Sequence, residues 1–156
     1  MNNFKKAVSI TLEAEGVLSD HPDDKGGLTK YGISKRAYPD LDIANITKEQ
    51  AVEIYRRDYW EKCKCEALPY PLDVWVFDTS VNHGVKKAVR ILQETLGVTA
   101  DGIIGPKTIK AANDAGADAV RTYALRRLYA YAETESWQTF KKGWLNRLIN
   151  LTKATA

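Results

Sequence analysis

A chain of 156 residues, 44% hydrophobic and 28% charged, is long enough to bury a core and too ordinary in composition to be wholly disordered. Residues 120–156 carry seven Lys/Arg against two Glu, a local +5 that leaves −2 for residues 1–119 out of the total +3. No stretch approaches the ~18 apolar residues of a membrane-spanning helix, and the basic end suits a polyanionic partner such as nucleic acid, an anionic membrane face or a cell-wall polymer.

In chain order, the start MNNFKKAVSITLEAEG is amphipathic, with no uninterrupted apolar run and no A-x-A site. A signal peptide is therefore not expected, and synthesis in the cytoplasm is. Phe4, Val8, Thr11 and Leu12 share one side of a first helix. Residues 17–33 alternate and carry glycines, which predicts a small hairpin or irregular lobe. Thr47-Lys48-Glu49-Gln50 reads as a capping box opening a helix through Tyr59. Cys63 and Cys65 stand too close for an unstrained mutual disulfide and are too few for a zinc knuckle, so they read as free thiols. Residues 72–83 predict a central buried helix. Val85, Val89, Leu92 and Leu96 form a stripe ended by Gly97, and Gly105-Pro106 starts a short helix with proline in its first turn. Val120, Tyr123, Ala124, Leu128 and Tyr131 make another stripe; Phe140, Trp144, Leu148 and Leu151 make the last. Tyr129 and Trp137 join these aromatic groups as expected core. The fold class is mainly α.

The first helix ends on an unusual residue. Glu15 falls about 20° from Phe4 on a helical wheel, inside the apolar stripe, while Glu13 falls about 180° away and reads as solvated. Burial disfavours an ionised carboxyl, and a carboxyl kept protonated is what a general acid requires. The loop that follows carries Asp20, Asp23 and Asp24, then Gly26-Gly27 and Thr29. Glycosidic hydrolysis needs an acid on one side of the bond and a carboxylate across the cleft. Glu15 and Asp24 meet that need, and Thr29 is suited to holding a water. The bland alternative is that Glu15 binds backbone N–H groups of its own loop.

Glu15-Gly16, the eight-residue step to Asp24, and Gly26-Gly27-x-Thr29-x-Tyr31-Gly32-Ile33 resemble the signature of glycoside hydrolase family 108, phage endolysins and related N-acetylmuramidases. Glu15, Asp24 and Thr29 are also similar in spacing to the Glu/Asp/Thr trio of T-even phage lysozymes. The resemblance continues in Phe77-Asp78-Thr79-Ser80-Val81-Asn82-His83-Gly84 and in Asp101-Gly102-Ile103-Ile104-Gly105-Pro106-Lys107-Thr108, which looks like the family's peptidoglycan-binding half. Val17 and Lys25 depart from the family's usual glycine and proline. The resemblance implies a lysozyme-like helical fold, with residues 1–85 catalytic and residues 86–156 a helical peptidoglycan-binding part packed into the same unit. It implies a muramidase that cuts the β-1,4 bond between N-acetylmuramic acid and N-acetylglucosamine, with Glu15 as acid and Asp24 and Thr29 acting on water or on the oxocarbenium ion. It also implies an endolysin made in the host cytoplasm that reaches the wall through a holin, works as a monomer and lyses the cell.

Further residues take roles beside these. Tyr31 is expected to stack on a sugar ring or to pack in the core. Asp78 and Asn82, four apart on one helical face, either satisfy buried neighbours or line the substrate cleft; the resemblance favours the cleft. A triad from Ser80, His83 and Asp78 lacks its usual turn. Asp20-His21-Pro22-Asp23-Asp24 lacks the spacing of a calcium loop, so no metal and no cofactor is expected. Arg121, Arg126, Arg127, Lys141, Lys142 and Arg147 read as a solvated basic face, with weak contact to an anionic membrane or wall polymer as a second use. The rivals are a non-catalytic wall-binding or secretion-accessory protein, a DNA-binding helical protein that would leave residues 13–33 unexplained, and a lytic transglycosylase. Nucleic acid is not expected as a partner.

Overall fold

The computed structural model describes residues 3–15, 18–19 and 28–156, residues 18 and 19 as backbone only. Helix α1 (Asn3–Glu15) buries Phe4, Ala7, Val8 and Thr11, the i, i+3, i+4, i+7 stripe of an amphipathic helix. The lobe that follows is a small antiparallel sheet of β1 (Leu18–Ser19), β2 (Thr29–Lys30) and β3 (Ile33–Ser34), in that order. It reaches one residue beyond the span expected from the sequence. Lys30 pairs with Ile33 across a two-residue turn, and that turn has φ 52° at Tyr31 and φ 76° at Gly32. Positive φ at both central residues is the turn whose twist matches a tight hairpin.

Helix α2 (Lys48–Tyr55) opens on the expected capping box: Gln50 N donates to Thr47 Oγ1 at 3.2 Å and Thr47 N to Gln50 Oε1 at 2.8 Å. It does not continue as α-helix to Tyr59. Residues Arg56–Trp60 widen into a π turn, with Glu61 N donating to Arg56 O at 2.9 Å. The reason lies in the core. Tyr55 and Trp60, five residues apart, both reach Phe77, with ring centroids 6.1 and 5.7 Å away. An α-helix would point such a pair in different directions, whereas a π turn returns after about five residues.

Helix α3 (Leu72–His83) is buried on every side from Leu72 to Ser80, as the near-continuous apolar run predicts. Phe77 on its first face joins Phe4 and Trp60 in edge-to-face pairs. Gly84, at φ +87°, turns the chain directly into α4 (Val85–Thr95). Beyond α4, Gly97 N and Val98 N bond back to Glu94 O and Gln93 O, the closing geometry for which a left-handed glycine is suited. α5 (Pro106–Asp114), α6 (Asp118–Ala132) and α7 (Trp137–Thr155) complete the chain.

The Asp101–Thr108 run is a structural knot around one buried side chain. Gln93 Nε2 donates to Asp101 Oδ1 at 2.7 Å and to Ile103 O at 3.0 Å, while Gly102 N donates to Gln93 Oε1 at 2.8 Å. The last two helices close over α3: Trp75 Nε1 donates to Thr155 Oγ1 at 3.2 Å, and Leu151 is fully buried. Two aromatics expected in the core are on the surface instead, Tyr129 at 68% and Phe140 at 54% exposure. Tyr131 is buried and stacks on Trp144 at 4.5 Å. Only part of each aromatic group fits beneath helices whose opposite faces meet water.

Candidate active site

Glu15 is the last residue of α1, and the turn of the sheet lobe closes against it. Gly32 makes that approach feasible: a Cβ there would stand 2.2 Å from Tyr55 Oη and 3.0 Å from Glu15 Cγ. Tyr55 Oη donates to Tyr31 O at 2.9 Å, tying the turn to α2. Burial, and then the charge of Glu15, push the Tyr55 hydroxyl well above its ordinary range, so it remains a donor. The glycine, the tyrosine and the carboxylate thus occupy one contact.

The apolar surroundings expected of Glu15 are not what it meets. Its side chain is 27% exposed, and Oε1 accepts from Arg147 Nη1 at 2.5 Å. Arg147 comes from α7, 132 residues away. Its other nitrogens are committed to Asp78: Nη2 donates to Oδ1 at 2.9 Å, and Nε lies 3.1 Å from Oδ2. Burial works against the Arg147 charge, but Asp78 and then Glu15 outweigh it and keep the guanidinium protonated. Arg147 is therefore a fork with its base pinned and one tine offered to Glu15.

Asp78 anchors this arrangement from α3. Burial alone pushes its carboxyl up, but Arg127 and Arg147 together bring it down to about 2. Thr11 Oγ1 on α1 also donates to Oδ1 at 3.2 Å. Arg127, on α6, is fully buried with Nη1 2.7 Å from Asp78 Oδ2. Nη1 holds Asp78 as an ion pair at that distance, and Nε is buried without a hydrogen-bond partner among the described residues. Arg127 Nη2 donates to Tyr131 Oη, which donates in turn to Asn82 Oδ1 at 2.6 Å.

These contacts revise several sequence expectations. Asp78 is 1% exposed with both oxygens engaged, so it supports Arg147 instead of touching sugar. Asn82 is half-buried and completes the Tyr131 chain. Arg127 and Arg147 leave the expected basic face because a buried Asp78 needs compensating charge. Of the rest of that face, Arg121 and Arg126 pair with Asp118 and Glu94. Ser80 Oγ donates to Phe77 O, which removes it from any triad with His83. The Tyr31 ring lines a groove with Leu12, Val52 and Lys48 that Glu15 does not line. Thr29 lies on β2 opposite Ser34, two residues before the turn. Asp24 and the rest of the Asp20–Asp24 cluster lie outside the described residues. Among the described residues no group of His, Cys, Asp or Glu is placed to hold a metal. Cys63 and Cys65 are both free and buried.

Comparison with known families matches residues 8–84 to Glycosyl hydrolase 108 and residues 87–149 to Predicted Peptidoglycan domain. The solved structure of Brucella abortus SagA is similar at 33% identity, with a TM-score of 0.87 over 97% of this chain and 92% of that one. The chain belongs to the glycosyl hydrolase 108 family. No curated protein matches it. As a family 108 member it is a glycoside hydrolase that acts on peptidoglycan.

The family boundary runs through the site. Glu15 and Asp78 lie in the family 108 match, whereas Arg127 and Arg147 lie in the peptidoglycan-domain match. Sequence reading missed both arginines, although a signal for them was present. Arg127 falls about 20° from Val120 on the α6 wheel, inside the stripe that holds Tyr123 and Tyr131, and Arg147 falls about 20° from Phe140 on α7. The test that singled out Glu15 singles out its partners too.

Proposed function

We propose that this glycoside hydrolase is an N-acetylmuramidase that hydrolyses the β-1,4 bond between N-acetylmuramic acid and N-acetylglucosamine, and that it serves a phage or prophage as an endolysin. The observation that carries the reading is the posture of Glu15. It stands at a helix end, partly exposed, with the sheet turn closed on one side and a pinned guanidinium on the other. A carboxyl so held has a fixed position beside the arriving glycosidic oxygen. Because Arg147 is anchored through Asp78, it stays in place when Glu15, having taken a proton from solvent, parts from Nη1 and passes that proton to the glycosidic oxygen. The guanidinium then faces the carboxylate that remains.

Asp24 and Thr29 are assigned to activating a water or stabilising the oxocarbenium ion, and inversion at the anomeric carbon is the outcome where the gap between Glu15 and Asp24 holds that water. In this reading the enzyme is made in the host cytoplasm, reaches the wall once a holin opens the inner membrane, and acts as a monomer. The test is product analysis. Purified sacculi digested with the full chain should release fragments ending in reducing N-acetylmuramic acid, by mass spectrometry after borohydride reduction. Reducing N-acetylglucosamine ends would overturn the bond assignment, and 1,6-anhydro ends would make the protein a transglycosylase. Lysis of a host expressing the chain only when a holin is co-expressed tests the endolysin role; lysis without one would contradict it.

A further inference from the structure

A second concave site lies away from Glu15, between α4 and α6, with a volume of about 880 Å³, the size of a small-ligand pocket. Its α4 wall carries Lys86, Lys87 and Arg90, all exposed and none in a salt bridge among the described residues. Lys86 has its stem against Gly102, where a Cβ would come within 2.9 Å of its Cγ, so the wall is braced by the Asp101–Thr108 knot. The α6 wall presents Tyr129, 68% exposed. Of the two glutamates that line it, Glu94 is answered by Arg126 at 3.5 Å, whereas Glu133 makes no salt bridge among the described residues.

His83 lines the groove too, and its Nε2 is buried without a hydrogen-bond partner among the described residues. Burial first, then the charges of Arg127 and Lys87, hold it down to about 4, so it is a neutral imidazole at pH 7 with one ring nitrogen to donate and one to accept. The reaction proposed for Glu15 uses none of these residues. The groove therefore combines cations outside any salt bridge, an exposed aromatic face, a neutral imidazole and a carboxylate without an ion pair, among the described residues.

We infer that the α4–α6 groove binds the acidic stem peptide of peptidoglycan, its cationic wall taking the peptide carboxylates and Glu133 the amine of the diamino acid. This rests on the reading of peptidoglycan as substrate and adds a division of labour: the Glu15 lobe engages glycan, and the second half engages peptide. Charge complementarity decides the occupant. The peptide-bearing glycan backbone is neutral, its lactyl carboxyls being tied up as amides, whereas the stem peptide brings several carboxylates to one place.

The test is a titration of the isotope-labelled full chain with synthetic L-Ala–γ-D-Glu–meso-diaminopimelate–D-Ala, followed by amide NMR. The expected result is movement of the Lys87, Arg90 and Tyr129 signals, with affinity lowered about tenfold or more in the folded double variant Lys87→Glu/Arg90→Glu. No movement at these residues with peptide at millimolar concentration would overturn the inference. So would equal movement with glycan strands stripped of peptide by an amidase. Sacculus hydrolysis by the same samples is scored separately: hydrolysis without peptide binding sinks the groove and spares the hydrolase reading. Peptide binding without hydrolysis does the reverse.

Discussion

Asp78 is the residue at which burial and charge are most directly opposed, and its environment predicts how stability follows pH. Its folded carboxyl is held near 2 against an ordinary 3.8, so the unfolded chain binds the proton more readily. Stability from this group is present above pH 3.8 and is lost as pH falls towards 2. His83 acts in a higher window. Its folded value near 4 lies below the ordinary 6.5, so stability falls as pH drops from 6.5 to 4. Urea midpoints measured by circular dichroism should decline across both windows, and His83→Gln should flatten the upper one. An unchanged upper slope in that variant would contradict the account. Asp78→Asn should cost about 3–5 kcal/mol, because it leaves two buried guanidiniums short of charge; a loss under about 1 kcal/mol would mean the network is not what holds them. The sequence made Asp78 and Asn82 conspicuous as polar residues on an apolar helix. It could not decide what satisfied them, because the partners lie 49 and 69 residues further along the chain.

At the scale of elements, the β2–β3 turn is the piece that closes against both Glu15 and Tyr55. The Gly-Gly-x-Thr-x-Tyr-Gly pattern announced a turn, but not that its last glycine sits between Tyr55 and Glu15. Gly32→Ala should destabilise the chain by about 2 kcal/mol or more, from strain at positive φ and from the crowded Tyr55 hydroxyl. In a Tyr55→Phe background the same change should cost less, because the nearest atom is gone. Denaturation of the two single variants and the double variant measures that coupling, and strict additivity would contradict the contact. Helix positions, the capping box and the Gly97 stop were legible because they rest on local spacing. The π turn at Arg56–Trp60 was not, since only the demand of Phe77 for both Tyr55 and Trp60 calls for it.

At the scale of the whole molecule, the two family matches share one electrostatic centre. The cations that compensate Asp78 come from α6 and α7, and one of them continues to Glu15. The buried α3 is covered by both halves, with Thr11 on α1 reaching Asp78 and Trp75 reaching Thr155 on α7. A chain cut after Gly84 should therefore fail to fold, giving no cooperative thermal transition by circular dichroism, whereas the full chain should melt in one step. A sharply melting fragment would show that the first half stands alone. The unequal charge of the two ends was visible in the sequence as a basic surface. Two of its members, Arg127 and Arg147, are instead the internal partners of Asp78 and Glu15, a use that composition cannot distinguish from solvated decoration.

The central claim is that Glu15, held by Arg147, is the catalytic acid. The direct test is turbidity loss of purified peptidoglycan with wild type and Glu15→Gln, each checked by circular dichroism. Glutamine keeps the shape and one oxygen towards Arg147 but has no proton to give. The account predicts clearing by wild type and a fall of roughly 10²–10⁴-fold in the folded variant. Clearing at the wild-type rate by folded Glu15→Gln would contradict it.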